Sequence, residues 1–131
     1  MNMKLPGYNE IPDVGLYLEQ VSKYLYSFLE DDLQLTGTMI TNYVKLKIVP
    51  KAIKKAYSRE QIALFFLVAT TKSVLSMDQI RKVFALRNDT RRLYEDFVKG
   101  IKEEDCDDEL IAMIAKTVLA KRKLDDNIAS L

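Results

Sequence analysis

The chain of 131 residues contains no histidine, no tryptophan and a single cysteine, Cys106, with four glycines and three prolines. Without histidine it cannot assemble a Cys/His zinc site, a Ser-His-Asp triad or a Cys-His pair. One cysteine cannot close an intramolecular disulfide. A large share of enzyme chemistry is excluded in this way, and no spacing of the remaining residues calls for a catalytic site, a cofactor or a metal. The scarcity of glycine and proline leaves little for loops, so helix is expected throughout. Long apolar runs are also missing: the longest, Ile62 to Ala69, is far short of the roughly 20 residues a membrane helix needs. The amino-terminal stretch MNMKLPGYNEIPD has no apolar leader segment. One domain over 1–131, reduced, cytoplasmic and without membrane contact, is the expectation.

Acidic residues are absent from one whole stretch. Residues 33–59 carry Lys45, Lys47, Lys51, Lys54, Lys55 and Arg59 and no acid. By contrast, residues 1–32 hold two basic residues against six acids, 60–94 six against three, and 95–131 six against ten. A net charge of +1 therefore conceals a positive middle between negative ends. Such a segment is a candidate nucleic-acid footprint, or a solvated or internally paired face.

Helical periodicity fills most of the chain. Asp13 is placed to cap a first helix with Val14, Tyr17, Leu18, Val21, Leu25 and Phe28 on its apolar stripe. Thr36 caps a short second helix with Met39, Ile40, Tyr43 and Val44 inward. Thr38, Thr41, Asn42 and Lys45, at i, i+3, i+4 and i+7, form its outer face, which holds hydrogen-bonding groups and a cation but no carboxylate. Pro50 is expected to end that helix, and IVPKAIKKAYS to follow as an extended loop with two short strand pieces, since no glycine marks a tight turn. Ser58 with Gln61, and Ser76 with Gln79, make two capping boxes opening two more helices.

The last third reads as a helical pair. Asp89 opens a helix with Leu93, Tyr94, Phe97, Val98 and Ile101 on one face, slightly weakened by Gly100. Asp107 or Asp108 opens another, with Leu110, Ile111, Ile114 and Val118 inside and Lys121, Arg122 and Lys123 near its end. The run EEDCDDE lacks the spacing and glycine of a calcium loop, and capping and solvation account for it. Acids around Cys106 raise a thiol pKa, against a reactive nucleophile.

The stretch MITNYVKLKIVPKAIKKAYSREQIALFFLVATTKSVLSMDQIRKVF resembles the DNA-binding region of the MerR family. Together with KLPGYNEIPDVGLYLEQV it resembles more closely the bacterial family called domain of unknown function 1836, through its LP and PD, NYVK, VPK, KKAYSRE and VLS elements. The resemblance covers about residues 4–86. It implies an all-α fold: a MerR-like winged helix-turn-helix over 4–86 with a short basic wing, plus a C-terminal helical pair over 87–131. It also implies that Tyr43 and Lys45 contact the DNA backbone at the end of the recognition helix, and that Lys54, Lys55 and Tyr57 form the wing. Thr41 and Asn42 stand where MerR proteins carry Arg and Tyr, and Lys47 replaces their glycine before the wing.

The expected activity is therefore binding of double-stranded DNA in transcription regulation. Lys45, Lys47, Lys51, Lys54, Lys55 and Arg59 would take phosphates, while Thr38, Thr41 and Asn42 would reach base edges. The rival reading is a protein-interaction module on the same fold, whose sign would be a recognition helix packed against other parts of the chain. A homodimer is expected from the apolar stripes of the last two helices, which expose more than they can hide against each other; the alternative is that they fold back onto the first helix.

Overall fold

A computed structural model describes residues 3–131, so the first two residues of the amino-terminal stretch lie outside it. Among the described residues there are six α-helices: α1 (Leu18–Tyr26), α2 (Gly37–Lys45), α3 (Arg59–Thr71), α4 (Met77–Ala85), α5 (Thr90–Ile101) and α6 (Glu109–Ala129). They form no sheet; extended pairing is limited to two isolated antiparallel bridges, Leu16 with Tyr57 and Ile53 with Ala56. No described helix is long and apolar enough to cross a membrane.

The caps explain most helix starts. Thr36, Ser58, Ser76, Asp89 and Asp108 each accept a bond from the backbone amide three residues on, covering one of the amides a helix leaves open. In α3 and α4, Gln61 and Gln79 return the bond to the cap residue, completing both capping boxes.

α3 is the axis of the molecule. Every residue from Gln61 to Thr71 is buried. Its buried threonines remain satisfied because Thr70 Oγ1 donates to the Phe66 carbonyl at 2.9 Å and Thr71 Oγ1 to the Leu67 carbonyl at 2.6 Å. Phe66 sits between Phe28 and Tyr24, at 5.8 and 5.9 Å between ring centres, with Tyr94 at 6.4 Å beyond. The amino-terminal arm closes one end. Tyr94 donates its hydroxyl to the Pro6 carbonyl at 2.7 Å, and burial pushes its pKa far above the ordinary tyrosine value.

α5 and α6 form a close pair that also covers α3. Leu93, Tyr94, Phe97, Ile101, Ile111, Ile114 and Val118 are all buried in the common core. Most of each stripe that suggested a second copy is thus covered within the chain, by α3 and the amino-terminal arm as well as by the other stripe, while Val98 is half-buried and Leu110, at 43%, stays exposed. Gly100 makes the pairing possible: a Cβ there would lie 2.6 Å from Ala115 Cβ.

Four sequence expectations need correction. The first helix begins at Leu18, not after Asp13, because Gly15 takes a left-handed φ of 75° and Leu16 pairs with Tyr57. Asp13 instead accepts from the Arg59 amide at the start of α3, and Val14 is 81% exposed. α2 stops before Pro50: Lys47 adopts a left-handed φ of 58°, its N–H donates to Val44 and that of Ile48 to Tyr43, each at 3.0 Å. The basic connector is a tight hairpin rather than an extended loop. Finally, α6 runs on to Ala129, so Arg122 lies mid-helix and is turned inward onto Glu30 at 2.8 Å and Asp32 at 3.5 Å.

Candidate nucleic-acid interface

α2 is divided lengthwise. Ile40 and Tyr43 are buried, Met39 and Val44 half-buried, and Thr38, Thr41, Asn42 and Lys45 are exposed together on the opposite face. Thr41 also donates its hydroxyl to the Gly37 carbonyl at 2.9 Å, leaving its oxygen outward as an acceptor. Thr38, Asn42 and Lys45 remain exposed among the described residues.

The connector turns back at its tip. Ile53 and Ala56 exchange two backbone bonds, at 3.1 and 2.9 Å, enclosing Lys54 and Lys55. Both lysines have positive φ, 51° and 66°, as a two-residue type I′ turn requires; asparagine and glycine are the residues that accept this without cost. Below the tip, Tyr57 and Leu16 exchange bonds at 2.8 and 3.0 Å, which anchors the returning arm beside α1. The outgoing arm is anchored to α3, since Gln61 Nε2 donates to the carbonyls of Pro50 and Lys51, both at 2.8 Å. The capping-box glutamine therefore both starts a helix and fixes the path of the basic segment.

The eleven residues singled out in the sequence separate in space. Thr38, Thr41, Asn42 and Lys45 share the outer face of α2, and Lys47, Lys51, Lys54 and Lys55 are exposed along the connector. Thr41, Lys45, Lys47 and Lys51 border one groove of about 790 Å3, while Lys51, Lys54 and Lys55 border another of about 780 Å3; Val44 lies in both. Tyr43 and Tyr57 are core residues, 5% and 8% exposed, and burial raises the pKa of each. The Tyr57 ring stands edge-on to Phe65 at 5.4 Å. Arg59 is held by the amino-terminal arm: Nε donates to the Ile11 carbonyl at 2.7 Å, Nη2 to Asn9 at 3.3 Å, and the guanidinium lies 5.7 Å from the Tyr8 ring centre.

Sequence reasoning missed Arg81, which borders the same groove as Lys45 and Lys47 and donates from Nε to the Leu46 carbonyl at 3.2 Å. It comes from α4, on a helix that separate periodicities could not place beside the end of α2. The acidic run 103–109 is used in capping and pairing: Asp108 caps α6 and binds Arg87 in two bonds, at 2.7 and 3.0 Å. Cys106 has its thiol pKa raised, first by burial and then by Asp96.

Fold and surface together define a small all-helical protein with one acid-poor face of threonine, asparagine and lysine. A family model described as Domain of unknown function (DUF1836) matches residues 6–103, and the chain belongs to that family. Neither the curated proteins nor the solved structures gave a match.

Proposed function

We propose that this chain binds double-stranded DNA as a MerR-like winged helix-turn-helix protein and acts in transcription regulation. The observation that carries the reading is the division of α2: one face is locked into the core while the other presents Thr38, Thr41, Asn42 and Lys45 to solvent, free of acids. A helix held in this way can enter a major groove, with short polar side chains at base edges. The hairpin serves as the wing. It projects Lys54 and Lys55 from a short, doubly anchored ribbon, and Lys47, Lys51 and Lys45 continue the positive line toward the helix. Arg59 is left out of the phosphate set because its guanidinium already serves the amino-terminal arm.

The reading includes a homodimer, with α6 supplying the contact. Leu110, Met113, Leu124 and Ile128 recur at helical spacing along its outer side and are exposed. A stripe of this kind is self-complementary about a twofold axis.

Fluorescence anisotropy with random-sequence duplex DNA over a range of salt tests the proposal, and light scattering on the same samples gives the stoichiometry. The logarithm of the affinity should fall with the logarithm of salt by about 0.9 per phosphate contact. Lys54→Ala with Lys55→Ala should weaken all sequences alike and lower that slope by about two per copy, whereas Asn42→Ala should change preference among sequences. No binding at low salt would refute the reading; identical behaviour of the two variants would refute the division of roles.

A further inference from the structure

The cleft between the hairpin and the first turn of α1 differs in character from the outer face of α2. Its volume is about 780 Å3, within the roughly 300–1,000 Å3 typical of small-molecule sites. Leu18, Val44, Ala52 and Tyr57 give it an apolar floor, and Lys51, Lys54 and Lys55 stand around it, against one acid, Glu19. Among the described residues none of the three lysines is in an ion pair. The cleft therefore combines water-exposed apolar surface with uncompensated positive charge. Its walls are fixed from both sides, by the Leu16–Tyr57 bridge and by the bonds from Gln61 to Pro50 and Lys51.

We propose that this cleft binds a small amphipathic organic anion, an aliphatic or aryl carboxylate. The apolar body would rest on the half-buried Leu18, Val44 and Ala52, removing their remaining surface from water, and the carboxylate would sit among Lys51, Lys54 and Lys55 in charge-assisted hydrogen bonds. A neutral ligand leaves the lysines unanswered, and a cationic one is repelled. This site rests on the cleft alone. A further consequence rests on the DNA reading: a ligand that occupies these lysines competes with phosphate for them, so carboxylate and DNA weaken each other reciprocally.

An amide NMR titration of the full chain with sodium decanoate below its micelle concentration tests the site, with decyltrimethylammonium as a cation of equal chain length. Saturable shifts confined to residues 17–20, 44 and 51–57 are expected, with the cation binding at least about tenfold more weakly. Lys54→Ala with Lys55→Ala, exposed positions that leave the core intact, should weaken decanoate by about tenfold. Equal binding of the two amphiphiles, no saturation at millimolar concentration, or shifts centred on the outer stripe of α6 would overturn the site. Saturating decanoate should lower DNA affinity several-fold; unchanged affinity overturns the competition. Absence of DNA binding without decanoate overturns the DNA reading and the competition with it, while the chemical shifts alone decide the cleft.

Discussion

Replacing Gly100 with alanine gains up to about 1 kcal/mol of helix propensity, and on an exposed face that gain would decide the outcome. Here the new methyl would lie 2.6 Å from Ala115 Cβ, on the neighbouring helix, and 3.7 Å from Ala112 Cα. Separating two packed helices costs about 1–3 kcal/mol, so the steric term wins. Gly100→Ala should lower the melting temperature by several degrees, and Ala115→Gly in the same chain should recover part of it. A melting temperature unchanged or raised in the single variant would show that the pair can spread without cost. From the sequence, Gly100 looked like a weak point in a helix. Its reason is another helix's surface, which no local pattern contains. Arg59 and Arg122 are similar: their charge was legible, but the carbonyls and the carboxylate that hold them lie 48, 50 and 92 residues away in the chain.

The basic hairpin and the end of α2 place three lysines, Lys47, Lys54 and Lys55, in left-handed backbone. Each such residue costs on the order of 1 kcal/mol relative to glycine. Lys54→Asn with Lys55→Gly supplies the pair that a type I′ turn prefers. It should raise the urea midpoint, by about 1–2 kcal/mol of stability, while lowering DNA affinity. Stability and binding would then move in opposite directions, which separates a tip shaped for contact from one shaped for folding; a variant no more stable than the parent would show that the lysines adopt this turn without strain. Most helix starts were legible because Ser, Thr and Asp caps act within three residues. The two α2 faces were legible for the same reason, as periodicity records them directly. The hairpin was not, since its turn is made without the glycine or asparagine by which such turns are read. The late start of α1 also escaped, because the pairing of Leu16 with Tyr57 joins segments far apart in the chain.

For the molecule as a whole, ion pairs tie the carboxy-terminal helices to the rest: Arg87 holds Asp108 at 2.7 Å and Arg122 holds Glu30 at 2.8 Å. The Arg87 guanidinium, chiefly by hydrogen bonding, holds the Asp108 carboxyl below its ordinary value of 3.8. A carboxylate depressed in the folded state stabilises it above the unfolded pKa, and this contribution fades as pH falls through the folded value. Urea midpoints should therefore drop below about pH 4. Asp108→Asn should be less stable at neutral pH, by about 1–3 kcal/mol, and lose less on acidification; parallel pH curves for the two chains would exclude Asp108 as a source of the acid sensitivity. The buried run of α3 from Gln61 to Thr71 has a different consequence during synthesis. Its covering residues extend to Val118, 47 positions beyond Thr71, whereas the family match ends at residue 103. At about 5–20 residues per second, a ribosome needs roughly 2–9 s to make that interval. For those seconds the most apolar segment of the chain is without its full cover, so the nascent polypeptide's exposure to chaperones and to aggregation is set by translation speed between α3 and α6.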